Sequence, residues 1–153
     1  MWPEVAKLQQ EIVRIFRRTL GANHTDTIKA MDILVEAYGN LGKCEEAIEL
    51  NVVILAYRRA NLGDTDEKTL QTMGILVSAY VEIVEYSRAL PLREEALELN
   101  RRTASKDGEN CTSMKSKLAN VYWYLCRLEE AEALELEVLD TRRIRLRSML
   151  WYV

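Results

Sequence analysis

The stretch Leu118-Ala119-Asn120-Val121-Tyr122-Trp123-Tyr124-Leu125-Cys126-Arg127-Leu128-Glu129-Glu130-Ala131-Glu132 decides the fold. Leu118, Ala119, Tyr122 and Leu125 fall on one side of a helix, and a small residue, Ala131, stands near the start of the next apolar pattern. Counting back 42 residues gives Leu76, Tyr80 and Ala89; counting back again gives Leu34, Tyr38 and Ala47. Two further columns keep the same step: Arg17, Arg59, Arg101 and Arg143, and Leu8, Leu50, Leu92 and Leu134. A fixed period of this size marks stacked supersecondary units. Such units touch only their neighbours and build an extended concave surface suited to binding.

Each unit divides into two helical patterns. The first carries Met31, Leu34, Val35, Tyr38 and Leu41, repeated as Met73, Leu76, Val77, Tyr80 and Ile83, with Lys115 standing in for the methionine in the third copy. The tyrosines are large core residues whose hydroxyls need partners. The second pattern starts near Ala47, Ala89 and Ala131, where a small side chain lets two helix backbones approach. It continues through Leu50, Ile54, Leu55 and Leu62, then Leu92, Ala96, Leu97 and Leu99, then Leu134, Val138, Leu139 and Leu146. Val5, Leu8, Ile12, Val13, Phe16 and Leu20 match this second pattern, so the sequence opens halfway through a repeat. The expectation is seven helices, no strand and buried stripes throughout.

The boundary residues agree. Gly42 suits a left-handed helix cap, with Val84 and Cys126 at the equivalent places. A β-branched valine disfavours positive φ, so the Val84 turn is expected to be built differently. Leu20-Gly21 and Leu62-Gly63 close second helices, and Thr25 to Thr27 and Asp64 to Asp66 offer caps for the helices that follow. Pro91, about one turn into its helix, forfeits little hydrogen bonding there. At position 147 an arginine replaces the expected glycine, and Leu139, Arg143, Leu146, Leu150 and Val153 keep one helical face. The last helix is therefore predicted to run on to about Trp151.

Composition narrows the function classes. The chain has 153 residues, 48% apolar and 29% charged, with a formal charge of −3, too mild a balance to argue for nucleic acid or an anionic membrane. No apolar run reaches the length of a membrane span. Arg14, Arg17 and Arg18 give the first helix a basic face, but Glu4 and Glu11 and the repeat register argue for a repeat helix over a transit peptide. Three cysteines, Cys44, Cys111 and Cys126, match no zinc or redox spacing and read as reduced thiols in a cytoplasmic protein. His24, the one histidine, has no nucleophile pattern beside it, and a cap or loop-packing role suits it better than general-base work. No phosphate loop, metal spacing or nucleophile motif is present, so neither enzyme activity nor a cofactor is expected.

The columns resemble tetratricopeptide repeats of the 42-residue kind found in kinesin light chains and at the ends of many fungal NB-ARC-type signalling proteins. Residues 118–132 are similar to that family's LAxxYxxxGxxxEAExL core, and Gly21-Ala22-Asn23-His24-Thr25-Asp26-Thr27-Ile28 resembles its GxxHPDTL loop, with threonine for proline. Ala89-Leu90-Pro91-Leu92 resembles a common family variant. The resemblance implies an all-α right-handed superhelix, one domain over 1–153: a half repeat 1–22, repeats 23–64, 65–106 and 107–147, and a helical extension 148–153. Two adjacent asparagines on the first helix help light chains hold bound peptide. The matching positions here are Asp32-Ile33, Gly74-Ile75 and Ser116-Lys117, so the resemblance implies the fold and not that cargo recognition.

In this family the first helix of each pair lines the concave face. By register the lining is Lys29, Asp32, Glu36 and Asn40, then Gln71, Ser78 and Glu82, then Ser116, Asn120, Trp123 and Tyr124. Such a surface suits an extended peptide, its aromatic end anchoring an apolar or basic side chain; alternatively Trp123 and Tyr124 pack beneath the C-terminal tail. The arginines recurring near the ends of second helices suit the helix macrodipole. Met149, Leu150 and Trp151 form an apolar extension that either caps the last repeat or contacts a second copy. The function expected is a non-catalytic scaffold that binds a protein or peptide in a concave groove, and the resemblance implies the sensing or assembly arm of a larger signalling protein. The alternatives are a self-assembling module and a small-molecule binder or enzyme using the concavity.

Overall fold

The apolar stripes become helices in the computed structural model, which describes residues 1–103 and 109–150. The order is α1 (Trp2–Thr19), α2 (Thr25–Asn40), α3 (Cys44–Leu62), α4 (Glu67–Glu82), α5 (Tyr86–Thr103), α6 (Glu109–Tyr124) and α7 (Leu128–Leu150), with no strand among the described residues. The second helices start at Cys44, Tyr86 and Leu128, three residues ahead of the alanines. α7 passes Arg147 without a break, as its unbroken face predicts. Two compact units result, Met1–Val84 and Glu85–Val153.

In the first unit α1 packs on α2, α2 on α3 and α3 on α4. Its core gathers Ala6, Val13, Ile28, Met31, Leu34, Tyr38, Ala47 and Ile54, with Trp2, Phe16 and Leu50 half-buried against it. In the second unit α5 packs on α6 and α6 on α7, around Leu97, Cys111, Leu118, Tyr122 and Ala131. The three alanines and the three tyrosines are all buried. The stripes are not buried along their whole length: Leu8, Leu20, Leu62, Leu139 and Leu146 are exposed. Leu20 and Leu62 stand at helix ends, Leu139 at the middle of α7 and Leu146 near its end, where the register persists but no neighbouring helix covers it among the described residues.

The repeat fixes which side chains meet. Tyr38 receives a hydrogen bond from Gln10 Nε2 at 2.5 Å, and Tyr122, 84 residues on, donates to Glu94 Oε1 at 2.5 Å. The partner stands 28 positions ahead in both cases. Arg17 Nη2 rests on Met31 Sδ at 3.9 Å, and Arg59 Nη2 on Met73 Sδ at 3.8 Å. In the third copy the same two columns hold Arg101 and Lys115, both cationic. Glu137 Oε2 answers them, 3.0 Å from Lys115 Nζ and 3.8 Å from Arg101 Nη2. That carboxylate is what lets a lysine occupy a buried position.

The turns correct one expectation. Val84 adopts φ 64° and Cys126 φ 57°, the same left-handed conformation as Gly42 at 67°. Lys43 N donates to Tyr38 O, and Arg127 N to Tyr122 O, each at 2.9 Å. This is the closure that satisfies the orphan carbonyls at a helix end. Closing the helix end sets the conformation, with Val84 N donating to the Val81 carbonyl at 3.1 Å, and the valine accepts strain of about 1–2 kcal/mol. Pro91 lies deeper than one turn, inside α5, and removes the bond its nitrogen would make to the Ser87 carbonyl. His24 is an N-cap: its Nδ1 accepts from Asp26 N at 3.2 Å. Asp66 does the same for α4, accepting from Lys68 N at 2.9 Å.

Candidate functional site

In the first unit the residues expected to line a binding face lie on α2 and α4. Lys29, Glu36, Asn40, Gln71, Ser78 and Glu82 are exposed and Asp32 is half-buried. Lys29 Nζ pairs with Asp26 at 3.1 Å, and Asn40 Nδ2 donates to the Glu36 carbonyl at 2.8 Å. Asp32 is committed to Arg58, whose Nη2 stands 2.7 Å from its Oδ2. Burial pushes the Asp32 carboxyl above the ordinary carboxylate range, against the opposing pull of Arg58 and Lys68. Arg58 also donates to Thr72 Oγ1 and to the Lys68 carbonyl on α4. One α3 side chain thus ties α2 to α4 and removes most of Asp32's capacity for a ligand.

In the second unit Ser116 is half-buried and donates to the Thr112 carbonyl at 3.3 Å, while Asn120 is exposed. Trp123 and Tyr124 are 63% and 54% exposed, open enough to receive a ligand. Tyr124 stacks on Tyr86 with ring centroids 4.4 Å apart and an interplanar angle of 2°. Trp123 sets its edge to Tyr124 at 5.4 Å and 84°. Packing of these rings beneath residues 151–153 lies outside the described residues.

Tyr86 is the functional candidate that sequence reasoning missed. It heads α5, 38 residues before Tyr124, and the first unit shows the same separation in Cys44 and Glu82. There the Cys44 thiol donates to Glu82 Oε2 at 3.4 Å, and that bond raises the thiol's pKa. The period alone says which residues share a column. It does not say that the start of a second helix meets the end of the next first helix.

Of the apolar extension, Met149 is exposed and α7 ends at Leu150; Trp151 lies outside the described residues. The three cysteines are free thiols. Among the described residues no cluster of three or more His, Cys, Asp or Glu could hold a metal ion, and no helix is long and apolar enough to cross a membrane. Each unit carries an open cleft. One of about 510 Å³ lies among α1, α2 and α3. The other, of about 330 Å³, lies among α5, α6 and α7.

Helix pairs in this register define a tetratricopeptide-repeat solenoid. Residues 112–146 match the family model described as tetratricopeptide repeat. The fold is similar to that of a Podosopora anserina protein of kinesin light chain type with nearly identical TPR-like repeats. The TM-score is 0.75 at 22% identity, over 93% of this chain and 67% of that one. A glutamine-to-methionine variant of the same protein gives 0.77 at 24%, over 96% and 69%. BtubC (BKLC) from P. vanneervenii gives 0.73 at 16%, over 94% and 57%. No curated protein matches the chain. The structural likenesses show a kinesin-light-chain-like tetratricopeptide-repeat fold.

Proposed function

We propose that this chain is a non-catalytic interaction module that binds an extended peptide segment of a protein partner, with Trp123 and Tyr124 as its anchor. The observation that carries the reading is the aromatic group in which the exposed Trp123 and Tyr124 rest on the half-buried Tyr86. Stacking preorganises Tyr124, and large aromatic side chains dominate binding energy where they can be desolvated. Repeat solenoids of this fold offer long surfaces rather than closed pockets, and both clefts here are open. Three free thiols suit a reducing, cytoplasmic setting.

Peptides selected from a displayed random library against the protein provide the test. The tightest is titrated calorimetrically against wild type and Trp123→Ala. The expected loss is about 2 kcal/mol. Unchanged affinity in a variant with the wild-type circular dichroism spectrum removes the anchor from this position.

A second reading, self-association, is favoured by the exposed Leu136, Leu139, Leu146 and Met149 on α7. Deleting residues 148–153 separates the two. A dimer that becomes a monomer by light scattering supports self-association, whereas a monomeric wild type removes it.

A further inference from the structure

The clefts of the two units are one feature of the repeat, seen twice. Val13, Leu34 and Leu50 line the first; Leu97, Leu118 and Leu134, each 84 residues on, line the second. A tyrosine borders each, Tyr38 and Tyr122. The walls differ. In the first unit α1 supplies Arg14, Arg17 and Arg18, and α3 supplies Glu46 and Glu49. In the second, Arg14 gives way to Glu98, Gln10 to Glu94 and Glu49 to Ala133.

The charges of the second cleft are spent within the protein. Arg101 faces Glu137 at 3.8 Å, Glu94 accepts the Tyr122 hydroxyl and Glu130 holds Arg127 at 2.8 Å. The first cleft is different. Among the described residues no carboxylate lies within ion-pair distance of Arg14, Arg17 or Arg18, and Arg17 donates to the Met31 sulfur. On the opposite wall Glu46 is held by Lys43 at 3.2 Å, while Glu49 has no partner among the described residues. Like charges three and four residues apart on a helix repel. Three clustered guanidiniums with no carboxylate in contact are a cost that a ligand can offset.

We propose that the α1–α2–α3 cleft is a second peptide-binding site, distinct from the aromatic group of the other unit. Its occupant is a mixed-charge segment, with a carboxylate side chain against the arginine wall, an apolar side chain on the leucine and valine floor, and a lysine or arginine toward Glu49. The volume of about 510 Å³ holds one such side-chain set. Arginine forks favour carboxylates geometrically. The opposed glutamate wall disfavours a purely acidic ligand, because a second carboxylate there meets like charge.

The test is a proton–nitrogen NMR titration of the full chain with acetyl-Gly-Glu-Gly-Leu-Gly-Lys-Gly-amide. The expected shifts fall on the amides of residues 10–18 and 46–50. Arg14→Glu, which installs the charge that Glu98 carries in the other unit, should weaken binding about tenfold or more. The same loss is expected when glutamine replaces either the glutamate or the lysine of the peptide. Trp123→Ala should leave this binding unchanged, so failure here is separable from failure of the aromatic anchor. The proposal is overturned if the peptide causes no shifts in the cleft, if Arg14→Glu binds it as wild type does, or if an all-acidic peptide binds as tightly as the mixed one.

Discussion

The units Met1–Val84 and Glu85–Val153 place their side chains by the same rule and spend them differently. Each tyrosine hydroxyl finds its partner 28 residues ahead, a neutral Gln10 in one and a charged Glu94 in the other. Cys44 and Glu82 make a thiol–carboxylate contact where Tyr86 and Tyr124 stack. An arginine over methionine sulfur becomes Arg101 and Lys115 sharing Glu137. Backbone register is therefore the inherited constraint, and chemistry varies within it. A substitution is tolerated when a neighbour in another column compensates for it.

The sharpest way to break that statement is to move one member of a compensated set without its partner. Met31 is fully buried, and Val53 stands where the third copy has Glu137, 84 residues on. Met31→Lys should destabilise by about 3–5 kcal/mol in urea denaturation, because the charge has no carboxylate and meets Arg17. A loss below about 1 kcal/mol would show that Glu137 is not what makes Lys115 acceptable. The converse removal is expected to be smaller. Glu137→Ala should cost about 2 kcal/mol, below the fully buried range, because the carboxylate is half-open to water. Lys115→Met should restore the pattern of the first two copies at little net cost, read by the same denaturation midpoints.

The turn column sharpens the comparison from the backbone side. Val84 is exposed, so replacing it removes strain without emptying a core. Val84→Gly should stabilise by about 1 kcal/mol, and Gly42→Val should destabilise by a similar amount. Equal midpoints for Val84→Gly and wild type would mean that the turn carries no strain worth removing.

The smallest expected effect is a pH dependence carried by Tyr122 in the second unit. Burial, and then the hydrogen bond to Glu94, push the Tyr122 hydroxyl up to about 12. The folded state therefore favours the neutral phenol. Its contribution is whole below pH about 10, the unfolded value, and is lost as pH rises through about 12. The stability gap between wild type and Tyr122→Phe should narrow between pH 8 and pH 11. A constant gap would mean that the hydroxyl titrates alike in both states.

Much of this was legible in the residues. The columns place the helices, the buried tyrosines and alanines and the unbroken run of α7 past Arg147; Asp66 caps α4 from within its expected run, whereas α2 is capped by His24, one residue ahead of Thr25 to Thr27. The Val84 turn was misread because propensity describes a residue's preference, whereas pairing the last carbonyls of a helix fixes the backbone at its end. The exposed Leu139 and Leu146 show a second gap, since a stripe marks a face able to be buried and not the neighbour that buries it. Of the candidate site, Trp123 and Tyr124 were visible as aromatic clustering. Tyr86 and the Arg58 tie on Asp32 were not, because both depend on which columns meet between helices.

The sequence by itself determined the period, the helix pairs and the residues each helix turns inward, because local hydrophobic spacing and a 42-residue step are one-dimensional facts. Only the tertiary structure decided which charges are spent inside the protein and which stay available. Arg58 and Arg101 look like Arg14 and Arg18 in the sequence. Contacts 26 and 36 residues away, to Asp32 and Glu137, occupy the first two. Those contacts form because helix packing brings carboxylates within reach, and a side chain's partner depends on distance in space rather than on distance along the chain.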